Sequence, residues 1–193
     1  MPNDSQWSGV IGPHGGYRNL KSYQNAEIVH DATVVFCDRF VERRSRTRDQ
    51  MVQAARSGKQ NIAEGSMASG TSKKTELKLV GVARASLEEL LLDYQDFLRQ
   101  HSLPLWGKSH PEAQQVRRLA YAENRSYETY RPYVEQSSPE TAANTLICLI
   151  HQANYLLDQQ LRQLDKQFLE EGGFTEKLYR ARSQTRPPTQ HPH

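Results

Sequence analysis

Residues 73–100 read KKTELKLVGVARASLEELLLDYQDFLRQ, and the spacing within them decides the fold. Val80, Ala83, Leu87, Leu90, Tyr94 and Phe97 recur at intervals of three and four, the period of one face of an α-helix. Leu77, Leu79, Val82, Leu91 and Leu98 widen that stripe, which predicts burial on more than one side and hints at subunit contacts. Ser72 precedes the run as an N-cap. Upstream, the same period predicts a helix over about 47–64. Its inner face is Met51, Ala55, Gly58 and Ile62, where small residues admit a neighbouring backbone. Gly65 is expected to end that helix as a C′ glycine. Before it, Ile28, Val29, Ala32, Val35, Phe36 and Phe40 mark a helix over about 20–42, so close that the two must form a hairpin. Downstream, Ser138-Pro139-Glu140 combines a cap with proline at the first helical position. It opens a long helix striped by Leu146, Leu149, Ile150, Ala153, Leu157, Leu161 and Leu164, and Gly172-Gly173 stops it.

The expected fold is all-α: an antiparallel, up-down four-helix bundle over 19–171 with a tyrosine-rich insert at 101–138. Within the insert a short helix is expected over about 112–123. Residues 1–18, rich in Gly and Pro, read as a flexible arm. Residues 172–186 read as a short basic suffix and 187–193 as a disordered tail. No alternating β pattern and no internal repeat is present.

The 193 residues make one domain, with 36% hydrophobic residues and a mean hydropathy of −0.80. These values suit amphipathic helices with wet outer faces. No apolar run approaches the roughly 18 residues of a membrane span. The opening Met1-Pro2-Asn3-Asp4-Ser5-Gln6 lacks the charge and apolar pattern of a secretory signal, and Cys37 and Cys148 cannot build a disulfide framework. A reduced, cytoplasmic protein is expected.

Charge is unevenly placed: net −2 over residues 1–38, +6 over 39–78, −4 over 79–171 and +3 over 172–193. Solvated helix faces would account for such runs, and so would a polyanion partner. Catalytic chemistry finds little support. Residues 65–72, Gly-Ser-Met-Ala-Ser-Gly-Thr-Ser, imitate a phosphate loop, but Thr71 occupies the lysine position and a helix, not a strand, precedes it. A di-metal site in a bundle needs Glu-x-x-His motifs from two helices facing inward, and the chain does not supply that set. His30 and His151 read as packed or surface residues. Cys37 and Cys148 lie among apolar residues, where thiols stay protonated and inert. No enzyme activity, metal or cofactor is expected.

Nucleic-acid binding fits better. Arg39, Arg43, Arg44, Arg46 and Arg48 crowd the hairpin turn, Arg56 and Lys59 extend the charge along the second helix, and Lys73, Lys74 and Lys78 open the third. The expected phosphate ligands are Arg43, Arg44, Arg46, Arg48, Arg56, Lys59, Lys73 and Lys74, with Arg180 and Arg182 of the suffix in second rank. In the insert, Tyr121, Tyr127, Tyr130 and Tyr133 alternate with Arg125 and Arg131, a pattern that suits either base stacking or a hydrophobic cover. The alternative function is a protein-interaction scaffold, with the apolar stripe and the suffix docking a partner protein.

Asn61-Ile62-Ala63-Glu64-Gly65, followed by Ser72-Lys73-Lys74, Glu76 and Ser86-Leu87-Glu88-Glu89, resembles the bacterial four-helix-bundle family. That family includes proteins encoded in intervening sequences of 23S rRNA genes and the accessory protein of diversity-generating retroelements. The resemblance covers roughly residues 19–100 and 139–171. Residues 172–182 resemble the suffix of one subgroup. The insert is longer than compact members have. The resemblance implies a four-helix protomer in a homopentamer, a basic surface that holds RNA or DNA, and no catalytic residues; the expected function is non-enzymatic, oligomeric nucleic-acid binding with RNA slightly preferred. Asn61, Glu64, Gly65 and Ser72 are its assembly and structural motif. Glu64, expected at a helix C-terminus where the dipole disfavours a carboxylate, calls for a cation or donor from another helix or subunit.

Overall fold

A computed structural model describes residues 14–171 and 174–185. The fold is all-helical, with 81% helix and no strand among the described residues. The elements are α1 (Lys21–Phe40), α2 (Arg46–Ala68), α3 (Lys73–Gln100), α4 (Pro111–Arg118), α5 (Tyr127–Glu135), α6 (Pro139–Glu171) and α7 (Phe174–Thr185). Short 3-10 turns lie at Tyr17–Asn19 and Leu119–Tyr121. No described helix is long and apolar enough to cross a membrane. Most of the arm expected over 1–18, the Gly172-Gly173 stop and the tail expected over 187–193 lie outside the described residues.

The four long helices pack in a ring: α1 touches α2 and α6, and α3 touches the same two. Paired positions give the directions. Ser57 meets Ser86 (Oγ to Oγ, 2.9 Å), whereas Gly65, further along α2, approaches Glu76 and Val80, earlier on α3. The two helices therefore run antiparallel. On α1 and α6, Ser22 Oγ donates to Gln160 Oε1 at 2.8 Å and Asn25 Nδ2 donates to the Leu149 carbonyl at 3.1 Å. The ring encloses Phe36, Met51, Ile62, Leu87, Leu90, Tyr94, Leu146 and Leu149, all fully buried. The apolar faces read from sequence thus converge on one core. Tyr94 brings a hydroxyl into it, which donates to Thr33 Oγ1 at 3.0 Å, and Thr33 Oγ1 donates onward to the Val29 carbonyl at 2.7 Å. That chain satisfies groups whose burial alone would be unfavourable.

The segment between α3 and α6 folds onto the ring. α4 packs on α6, and α5 packs on α1 and α6. This cover explains why residues 142–150 of α6 are buried without interruption: their outward side meets the insert. It is pinned by Asn144, whose Oδ1 accepts from Trp106 N at 2.8 Å while its Nδ2 donates to the Pro104 carbonyl at 2.9 Å.

Two sequence expectations change, the end of α2 and the helices of the insert, and the suffix and the α3 stripe gain detail. Gly65 does not end α2; it is buried inside the helix, which continues to Ala68, and its missing Cβ lets the α3 backbone approach. The short helix expected over 112–123 stops at Arg118, and α5 lies in a stretch where none was expected. The suffix forms α7. The wide α3 stripe is largely used within the protomer: Leu91 and Leu98 are buried, Leu77 and Leu79 half-buried, and Val82 and Leu92 remain exposed. Within the expected arm, Gly15 and Gly16 take positive φ (81° and 76°). There Gly15 exchanges two hydrogen bonds with Ser66 of α2, each 3.0 Å.

Candidate nucleic-acid interface

Residues 41–45 connect α1 to α2, and Ser45 caps α2 by accepting from Thr47 N at 3.2 Å. The cap orients the first turn of α2 so that its free N–H groups and dipole present positive potential at the link. Arg43, Arg44 and Arg46 stand at that point, all exposed, and no ion pair or side-chain hydrogen bond engages them among the described residues. Cations at a helix N-terminus oppose its dipole, and Asp49 is the acidic residue of this first turn.

The neighbouring arginines behave differently. Arg39 donates to the Val134 carbonyl and, at 3.1 Å, to the Ser137 carbonyl, with its guanidinium 4.3 Å from the Phe40 ring centre. It ties the end of α1 to the α5–α6 link. Arg48 pairs with Asp38 across the hairpin, and Asp49 lies 4.0 Å away. The hydrogen bond to Asp38 holds the Arg48 guanidinium more firmly charged. Arg48, expected as a phosphate ligand, therefore already has a carboxylate.

Arg56 is exposed and Lys59 half-buried on α2, about 15 and 20 Å along the axis from Arg46 at 1.5 Å per residue. The far cluster lies about 35 Å from the turn, the length of α2. There Ser72 caps α3, accepting from Thr75 N at 3.2 Å. Lys73 Nζ sits 3.1 Å from Glu76, a carboxylate that is 9% exposed, so Lys73 neutralises a buried charge. Lys74 and Lys78 are exposed. Arg180 and Arg182 are exposed on α7, two residues apart and so on different sides of that helix. The basic surface also has a boundary. A cavity of about 340 Å³ beside the turn is lined by Glu42, Asp93 and Asp96, and burial, then Glu89 and Asp96, push the Asp93 carboxyl up.

No family model matches this chain, and no curated protein or solved structure matches it.

The motif residues are accounted for locally. Asn61 Nδ2 donates back to the Ser57 carbonyl (2.9 Å) and to Ser57 Oγ (3.1 Å) within α2. Glu64 is exposed one turn before the end of α2, with no ion pair or hydrogen bond among the described residues. The tyrosine cluster divides. Tyr130 is fully buried, Tyr133 is packed on the core and Tyr127 donates to Glu135 at 2.9 Å. Arg131 pairs with Glu128 and Glu135. Tyr121 alone of the four stays open, at 90% exposure. The one Glu-x-x-His spacing, Glu27 to His30, supplies no inward pair: Glu27 is exposed and accepts from Tyr23, while His30 lies 3.3 Å from Asp31. Among the described residues no group of three or more His, Cys, Asp or Glu is placed to hold a metal ion. Sequence reasoning missed a second concentration of cations, Lys21, Lys108, Arg117 and Arg125 around one groove. They come from four separate segments, so no local run announces them.

Proposed function

We propose that this protein is a non-enzymatic, oligomeric helical bundle that holds nucleic acid, RNA before DNA, on the basic surface of the α1–α2 link and α2. The observation that carries the reading is the contrast at one end of the molecule. Arg39 and Arg48 are consumed by protein partners, whereas Arg43, Arg44 and Arg46 are exposed at the start of α2 and form no ion pair among the described residues. Phosphates satisfy that arrangement without any base-specific contact. Arg56, Lys59 and Lys74 extend the surface along α2 towards α3.

In this reading the ring of α1, α2, α3 and α6 is an up-down four-helix bundle and 101–138 is its insert. The resemblance of residues 61–89 to the bacterial four-helix-bundle family then points to a homopentamer. Exposed Glu64 on the outward face of α2 supports a contact supplied by another subunit, which would repeat the basic surface around the assembly. Exposed Val82 (40%) and Leu92 (56%) on α3 favour a second reading, a scaffold that docks a partner protein.

The test uses nuclease-treated protein of measured oligomeric state, with labelled structured RNA and duplex DNA at low salt. Binding that is lost when Arg43, Arg44 and Arg46 become alanine supports the nucleic-acid reading. Absence of binding retires it in favour of the scaffold. Light scattering on Glu64→Gln checks the assembly: an unchanged oligomer and melting temperature removes the role given to Glu64.

A further inference from the structure

A groove of about 660 Å³ lies between the first half of α6, the loop before α4 and the turn after it. Small-molecule sites span roughly 300–1,000 Å³. Lys21, Lys108, Arg117 and Arg125 line this groove, and no Asp or Glu does. Two further cavities differ: the one between α1 and α5 sets Arg18, Lys21 and Arg125 against Glu27, Asp31, Glu123 and Glu128, and the one beside the α1–α2 link is acidic. Lys21 and Arg125 also border the carboxylates of the α1–α5 cavity, whereas Lys108 and Arg117 line only this groove, and a bound anion relieves the repulsion between cations gathered there. α6 is diagonal to α2 in the ring, so this groove is separate from the basic surface described above.

The walls are aromatic as well as cationic. Tyr121 and Tyr155 line the groove and are 90% and 63% exposed, which leaves their rings available for stacking. Gln152 Oε1 is buried beside them with no donor among the described residues, an arrangement that favours a ligand N–H. Burial, together with Arg117, Arg84 and Lys108 and against the opposing pull of Glu88, holds the His151 pKa below its usual value. His151 on the same wall adds a further hydrogen-bonding group. The frame is fixed: Trp106 Nε1 donates to Glu140 at 3.0 Å, and Arg117 Nη1 donates to the Lys108 carbonyl at 2.9 Å.

We propose that this groove binds a free mononucleotide, its phosphate on Lys108, Arg117 and Arg125, its base against Tyr121 and Tyr155, and a base N–H on Gln152 Oε1. A mononucleotide joins a multiply charged phosphate to a flat ring that carries N–H donors, which is the combination these walls complement. The occupant is a small molecule because a volume of about 660 Å³ falls within the range of small-molecule sites.

Calorimetry on the full, nuclease-treated chain tests this with AMP, UMP, adenosine and inorganic phosphate. At least one nucleotide binds about tenfold or more tighter than adenosine or phosphate, because both halves contribute. Lys108→Gln and Tyr155→Ala each weaken it by about tenfold. Both side chains are exposed, so both variants keep the fold. The Arg43, Arg44 and Arg46 triple glutamine variant binds the nucleotide as the parent does. Four results overturn the proposal: no heat with either nucleotide at roughly 1 mM; phosphate binding as tightly as nucleotide; loss of nucleotide binding in the triple variant; or an oligonucleotide, but no mononucleotide, depending on Lys108.

Discussion

Replacing Gly58, Gly65 and Gly81 one at a time with alanine tests how tightly α2 and α3 are seated. All three lie inside helices, so each substitution gains about 0.8–1 kcal/mol of helix propensity. The opposing term differs. A Cβ on Gly58 would fall 2.6 Å from Leu87 Cδ2 and 2.8 Å from Leu87 Cγ, and Leu87 is fully buried. Leu87 cannot withdraw without displacing the core, and overpacking of this kind costs about 1–3 kcal/mol. On Gly81 a Cβ meets nothing within 4 Å. On Gly65 its nearest neighbours are the Glu76 carbonyl oxygen at 3.4 Å and Leu79 Cβ and Val80 Cγ2 at 3.5 Å, ordinary contacts. Gly81→Ala should therefore stabilise by up to about 1 kcal/mol, and Gly65→Ala by a little less. Gly58→Ala should fall below Gly81→Ala by about 1–3 kcal/mol, or roughly 2–12 °C in Tm for a chain of this length. Thermal and urea unfolding at one protein concentration measure the difference, since assembly makes Tm depend on concentration. Trimming Leu87 to alanine in the Gly58→Ala background should make the two changes non-additive. Equal stability of Gly58→Ala and Gly81→Ala would refute the close approach of α2 to α3. A loss of about 1 kcal/mol in Gly65→Ala would restore Gly65 to a left-handed helix terminus.

Other consequences follow from individual side chains. Burial pushes the Cys37 thiol up to about 12 and the Cys148 thiol upward as well, so both should resist iodoacetamide at neutral pH until the chain unfolds; fast labelling of the native protein would contradict their burial. The depressed His151 pKa means that the unfolded chain, with a value near 6.5, binds a proton that the folded chain refuses. Stability should therefore fall as pH drops below 6.5 towards the folded value, and His151→Gln should flatten that fall in urea titrations at several pH values. Tyr94→Phe removes a buried hydrogen bond to Thr33 and should cost about 1 kcal/mol by urea unfolding; no loss would mean that the bond contributes nothing.

What the sequence disclosed follows the reach of each interaction. α3 and α6 were legible because their apolar stripes run long enough to fix a period and Ser72 and Pro139 mark their starts. α5 was not, because Pro132 lies inside it and a proline argues against a helix interior. Its start signal, Ser126 with Thr129 in a reciprocal capping box, uses threonine where Glu or Gln is the familiar third residue. Gly65 was misread because a glycine that fits a helix end and a glycine that admits a neighbouring helix look alike until the neighbour is known. The basic turn was legible as a charge run. That Arg39 and Arg48 are already held was not, since the acceptors of Arg39, at Val134 and Ser137, lie some 95 residues away and only the fold brings them near.

The salt dependence of RNA binding tests the central claim most directly. Each phosphate contact contributes about 0.7 to the slope of log K against log salt for single strands and about 0.9 for duplex DNA. Replacing Arg43, Arg44 and Arg46 with glutamine should weaken binding and flatten the slope by about two to three, whereas Arg48→Gln, whose guanidinium is held by Asp38, should leave the slope near that of the parent. A slope unchanged by the triple substitution, or no binding at low salt, would contradict the account.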